Sequence, residues 1–93
     1  MGSNDVARIV FTAHAHRRMK ERGVSGEEVL EALKNPVQHH YDRHRDVYLA
    51  LGENGIAVVY AYHGSLVEIV TVLRRSEYEA LVRRIGRRRY KLI

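Results

Sequence analysis

A small α+β domain, with helices packed on one face of a curved antiparallel sheet of about four to five strands, is what this 93-residue chain predicts. Three observations carry the prediction. Apolar residues recur with a period near 3.6 up to Asn35, the period drops to near two from Val37 to Arg75, and helical spacing returns beyond Ser76. Turn residues interrupt the middle stretch at regular intervals, as in a hairpin meander. With 45% apolar and 29% charged residues the composition is that of a globular domain, which excludes disorder and low-complexity polymers.

The elements follow in order. Ala7 to Phe11 is a short β-branched run suited to an edge strand, and Thr12 stands where a helix N-cap is needed. The first helix then runs from Ala13 to Arg22, with Ala15 and Met19 on its buried side and Gly23 as a left-handed stop. Ser25, with Glu28 three residues later, makes a capping box that opens a second helix whose buried stripe is Val29, Leu30 and Leu33. Asn35-Pro36 ends it, because proline pushes the preceding residue out of helical geometry. Strands are expected at about 37–43, 46–51, 56–63 and 66–74, with turns at Glu53-Asn54-Gly55 and His63-Gly64-Ser65, and a less regular one at Arg43 to Arg45. Ser76 with Glu79 repeats the capping box ahead of a third helix carrying Tyr78, Leu81, Val82 and Ile85. The result is a single domain over 6–86 and a basic tail over 87–93.

On the third strand of the meander Ile56, Val58, Tyr60 and Tyr62 share one face, and Ala57, Val59, Ala61 and His63 share the other. The small side chains of Ala57 and Ala61 leave room for a helix. On that basis Tyr60 and Tyr62, with Tyr48 of the preceding strand, look toward the open face of the sheet.

Charge and composition narrow the function. The chain has no cysteine, which excludes disulfides, thiolate metal sites and a cysteine nucleophile, and points to a reducing compartment, most simply the cytoplasm. Ile56 to Tyr62, the longest apolar stretch, is far shorter than the roughly 20 residues of a transmembrane helix, so no membrane partner is expected. Residues 1–82 hold ten Lys and Arg against eleven Asp and Glu, whereas 83–93 hold six basic residues and no acid. The basic character thus resides in Arg83, Arg84, Arg87, Arg88, Arg89 and Lys91, a segment suited either to an anionic partner such as RNA or to simple solvation.

Three clusters carry chemistry. His14, Arg18 and Arg22 are four apart and form one polar ridge on the first helix. Histidine exchanges protons near neutrality and arginine grips phosphate oxygens as a fork, so the ridge is equipped to remove a proton beside a phosphate. The alternative is structural, with Arg18 and Arg22 paired to carboxylates such as Glu28 or Glu31. The segment His39 to Arg45 places His40, Asp42 and His44 on one strand face, a conceivable zinc set. Alternate residues on a flat strand rarely converge, so a wet basic strand is favoured and no metal or other cofactor is expected. Arg74 and Arg75 end the last strand near Tyr78, placed either to meet an anion or to blunt a sheet edge with charge. Glu68, the one carboxylate in the last two strands of the meander, suits a general base or an arginine partner.

Thr12-Ala13-His14-Ala15, then Arg18-Met19, then Arg22-Gly23-Val24-Ser25 resembles the opening signature of the family called domain of unknown function 4258. The Asn-Pro after the second helix and the apolar run Ile69-Val70-Thr71-Val72 agree with it, so the likeness covers roughly residues 8–74. That family resembles the RelE-like and barnase-like ribonuclease toxins, which implies a metal-independent endoribonuclease that drives a ribose 2′-hydroxyl onto the adjacent phosphate. The likeness offers Arg74 or Arg75 as a transition-state stabiliser. It departs from the pattern in the middle strands, where Val47 to Leu51 and Ile56 to Tyr62 contain no Lys or Arg.

The expected mechanism therefore has His14 as base, Arg18 and Arg22 on the phosphate, and Tyr60 or Tyr62 stacking a base. Tyr48, Arg83, Arg87, Arg88, Arg89 and Lys91 are the further RNA contacts, and the partners are RNA or ribosome-bound RNA, an acidic antitoxin-like protein, or a second copy of the chain. The alternative is a non-catalytic module that binds RNA or a toxin–antitoxin partner.

Overall fold

The computed structural model describes residues 8–85 and 90–92. β1 (Arg8–Phe11) leads through Thr12 into α1 (Ala13–Arg22) and α2 (Gly26–Lys34). The meander is β2 (Pro36–Asp42), β3 (Val47–Gly52), β4 (Ile56–His63) and β5 (Leu66–Arg74), followed by α3 (Arg75–Ile85) and β6 (Tyr90–Leu92). The sheet order is β1-β5-β4-β3-β2-β6.

The fold is α+β, with two differences from the expected sheet. β1 lies parallel to β5, so the sheet is mixed, and β6 adds a sixth strand antiparallel to β2 within the stretch expected to be a tail. The parallel pair follows from the number of reversals: α1 and α2 deliver the chain to β2 running against β1, and the three antiparallel steps from β2 to β5 return it beside β1 in the same sense.

Local signals place the helices. Thr12 is the N-cap of α1, its hydroxyl accepting the Ala15 N–H at 2.9 Å, and Gly23 closes the helix in the left-handed conformation at φ 65°. Ser25 and Glu28 form the complete capping box of α2. In α2 the buried residues are Val29 and Ala32, with Leu33 packed beside them, whereas Leu30 is 39% exposed. Gly52 explains the shift: a Cβ there would stand 2.5 Å from Ala32 Cα, so α2 rests almost on the β3 backbone through the small side chain of Ala32. α3 starts earlier than Ser76 predicts. Glu77 is the residue that reaches back, accepting the Arg74 N–H at 2.9 Å, while Glu79 pairs with Arg75 at 3.0 Å.

Helices cover both faces of the sheet rather than one. α1 and α2 pack with Ala50, Ile56, Val58, Tyr60, Val67, Ile69 and Val72, whereas Tyr78, Leu81 and Val82 of α3 pack on the opposite face with Leu49, Leu51, Ala57, Val59 and Leu73. Ala57 does leave room for a helix, but that helix is α3. Consequently Tyr60, expected on an open face, is 5% exposed on the α1/α2 side. Alternation groups residues by face without saying which face is covered. Among the described residues no helix is long and apolar enough to cross a membrane.

Candidate functional site

The site begins with an irregularity in β5. Val59 pairs with Thr71 but Tyr60 pairs with Ile69, so Val70 is an extra residue that reverses the alternation of the strand. Val67 and Ile69 before the bulge and Val72 after it all pack on the α1/α2 side, and both Val70 and Thr71 turn toward the other face. A bulge leaves backbone groups without ladder partners. Thr12 supplies one: its hydroxyl donates to the Val70 carbonyl at 3.0 Å while its own N–H continues the β1–β5 ladder to the Ile69 carbonyl at 3.1 Å. One residue therefore caps α1 and closes the bulge, tying the first turn of the helix to the strand beneath it.

α1 then runs alongside the remainder of β5, its far end held by the Arg74 guanidinium on the Arg22 carbonyl. Ala15 and Met19 face the α2 cluster, and the ridge containing His14 and Arg18 faces the α3 side. There it borders a cleft of about 210 Å³. Its floor is largely apolar, formed by Val47, Leu49, Val59, Leu73 and Leu81, with Thr71 and the buried carboxylate Asp42 among them. Its rim is cationic. His14 and Arg45 are exposed, and Arg18 meets Glu21 only at 4.0 Å, the outer limit of an ion pair.

Arg45 arrives by way of the β2–β3 turn. Asp42, 1% exposed, accepts the His44 N–H at 2.9 Å and the Arg45 N–H at 3.3 Å, and Asp46 adopts the left-handed conformation at φ 56° that closes the loop. This carboxylate is thus engaged in fixing the turn that carries Arg45.

The other candidate residues lie elsewhere. Arg22 is drawn away from the ridge into a forked pair with Glu77 at the start of α3, its Nε 2.8 Å from Oε1 and its Nη2 on Oε2. Glu77, with Glu21 as a second partner at 3.5 Å, and not Glu28 or Glu31, is therefore its carboxylate, and the guanidinium holds the Glu77 carboxyl down at about 2, with the Arg74 N–H adding to the effect. Arg74 and Arg75 are occupied with the Arg22 carbonyl and Glu79. Glu68 pairs with His63 at 3.2 Å on the exposed β4–β5 hairpin, away from the arginines. Arg83 is exposed on α3. Arg87, Arg88 and Arg89 lie outside the described residues, as does the side chain of Lys91.

The tyrosines form a group of their own. Tyr48 stacks on Tyr60 at 5.5 Å between ring centres and touches Tyr41 at 5.0 Å and Tyr62 at 5.4 Å. Tyr62 is 56% exposed. His39 shares a 2.6 Å hydrogen bond with the Tyr60 hydroxyl, and burial lowers the His39 pKa while raising that of Tyr60 well above the ordinary phenol range. All of this stands on the α1/α2 side, so the sheet separates the tyrosines from His14 and Arg18 and corrects the expected arrangement of one nucleotide between them. His40 is buried against the Tyr78 hydroxyl, and burial followed by the neighbouring His39 lowers its pKa. Among the described residues no three His, Asp or Glu side chains gather as metal ligands.

Sequence reasoning missed Arg45 and Thr71. A signal for each existed: Arg45 sits in the one irregular turn of the meander, and Thr71 is a lone hydroxyl in the apolar run from Ile69 to Leu73.

The family model described as a domain of unknown function (DUF4258) matches residues 11–74. No curated protein and no solved structure matches the chain. The matched span holds Thr12, the bulge, and every residue lining the cleft except Leu81. The chain belongs to the DUF4258 family, and the cleft is built almost entirely from the part of the chain that defines its membership.

Proposed function

We propose that this protein is a metal-independent endoribonuclease of the RelE-like kind, working at the cleft between α1 and α3. The observation that supports this reading is the convergence of His14, Arg18 and Arg45 on one rim from two distant segments of the chain. A proton acceptor and two phosphate-binding forks are what cleavage of RNA by its own 2′-hydroxyl requires. His14 takes the proton of the 2′-hydroxyl as its oxygen bonds to phosphorus. The bond from phosphorus to the 5′-oxygen breaks, that oxygen takes a proton from water, and the products are a 2′,3′-cyclic phosphate and a 5′-hydroxyl end. Arg18 and Arg45 balance the charge that grows on the non-bridging oxygens. Because the side chains themselves supply base and charge, the scheme needs no metal.

The arginines of the scheme differ from those of the sequence expectation. Arg45 takes the place of Arg22, whose guanidinium is committed to Glu77. Cleavage of a labelled single-stranded RNA tests the assignment. His14→Ala is expected to lower the rate by on the order of a hundredfold or more, the usual worth of a positioned base. Arg45→Ala is expected to cost on the order of a hundredfold, as for loss of one transition-state donor. Rates unchanged in both variants, with melting temperatures intact, would remove the cleft from the chemistry. RNA that is bound but uncut would favour a binding module instead.

A further inference from the structure

We infer that the cleft takes a single unpaired nucleobase, so that the nucleic acid this protein accepts is single-stranded at the nucleotide it holds; the inference rests on the phosphodiester reading above. The charged groups and the apolar surface of the cleft are arranged in two levels. Arg18 and Arg45 stand at the rim, while Leu49 is fully buried at the floor and Val47, Val59, Leu73 and Leu81 are partly buried around it. A polyanion whose phosphate meets the rim has one apolar part within reach of the floor, the face of the attached base.

Size limits what enters. A cleft of about 210 Å³ is smaller than the roughly 300 Å³ at which pockets for drug-sized ligands begin. One ring system fits and a base pair does not. A base inside a duplex offers only its edges in the grooves, and bringing it to the floor means taking it out of the stack. That costs a few kcal/mol in a duplex and little in a single strand.

The lining also defines how the base is held. Among the described residues the His14 imidazole at the rim is the one aromatic ring lining the cleft, and the tyrosine group lies across the sheet, so at the floor the base is held by apolar burial and shape. Among the described lining residues Thr71 supplies the one hydroxyl, able both to donate and to accept. It is the specificity-determining contact to the edge of the inserted base.

The test reads binding independently of cleavage. A 2′-fluoro oligonucleotide carrying 2-aminopurine has no 2′-hydroxyl to attack, and its emission reports removal of the base from its neighbours. The single strand is expected to bind at least tenfold more tightly than the same strand annealed to its complement, with a change in emission at saturation. Leu81→Phe, which fills the cleft from α3, is expected to weaken binding by on the order of tenfold, the scale for lost room in an apolar pocket. Thr71→Val keeps the shape and removes the hydroxyl, so it decides the matter if Leu81→Phe fails to fold; a several-fold loss is expected with the melting temperature unchanged. Equal affinity for duplex and single strand, unchanged emission, or full affinity in Thr71→Val would overturn the inference. Natural RNA cut equally well in single and double strands would also overturn it while leaving the ribonuclease reading in place. The expected binding pattern without any cutting of natural RNA would uphold it and remove the chemistry.

Discussion

Replacing Glu77 by Gln should loosen the junction between α1 and α3 without touching the cleft. Glu77 receives the Arg22 fork on both oxygens and the Arg74 N–H at 2.9 Å, and these partners hold its carboxyl at about 2 against an ordinary 4.5. A carboxyl lowered in the folded state stabilises it fully above the unfolded value of 4.5, and that stability is lost as the pH falls toward 2. Converted in full, the interval amounts to roughly 3 kcal/mol. The Glu77 side chain is 38% exposed and Arg22 17%, so solvent screening reduces this to about 1 kcal/mol. For a domain of this length that corresponds to a fall in melting temperature of about 4–8 °C. Urea unfolding of both proteins near neutrality and again near pH 2.5 provides the assay. The midpoint of Glu77→Gln should lie below wild type near neutrality, with the two converging in acid, and its RNA cleavage should remain at the wild-type rate. An equal midpoint difference at both pH values would refute the electrostatic origin of the clamp, and lost cleavage in a folded variant would return Arg22 to the active groups.

Further outcomes follow from single contacts. Gly52→Ala should destabilise by about 1–3 kcal/mol through overpacking against Ala32, seen as a lower denaturation midpoint, and Ala32→Gly in the same chain should recover part of it. Thr12→Val should cost about 1–2 kcal/mol because the helix cap and the Val70 carbonyl lose their partner together, whereas Thr12→Ser should stay close to wild type. His40, lowered by burial, should titrate below an ordinary histidine by NMR; its contribution is complete above about 6.5 and lost as the pH falls through its folded value. An ordinary titration would contradict its burial against Tyr78.

Local chemistry was legible in the sequence. The Thr12 cap, the Gly23 stop and the Ser25–Glu28 box are decided by neighbours within three or four residues, and the helices start and stop where those residues place them. The strands of the meander likewise fall close to their expected bounds because period-two patterning and turn residues are short-range. What was not legible depends on partners far away. Arg22 finds Glu77 55 residues later, and nothing in the spacing of α1 distinguishes that pairing from a phosphate site. The face turned to α1 and α2 was equally hidden, since alternation is symmetric between faces until packing chooses. The Val70 bulge decided the cleft: without it Thr71 would follow the alternation of Val67 and Ile69 onto the α1/α2 side.

Analysis of fragment ends tests the central claim most directly. Protein in EDTA, incubated with a labelled single-stranded RNA near neutral pH, is predicted to leave 2′,3′-cyclic phosphate and 5′-hydroxyl ends, with His14→Ala leaving the strand whole. Fragments ending in 5′-phosphate, or cutting that persists in His14→Ala, would contradict it.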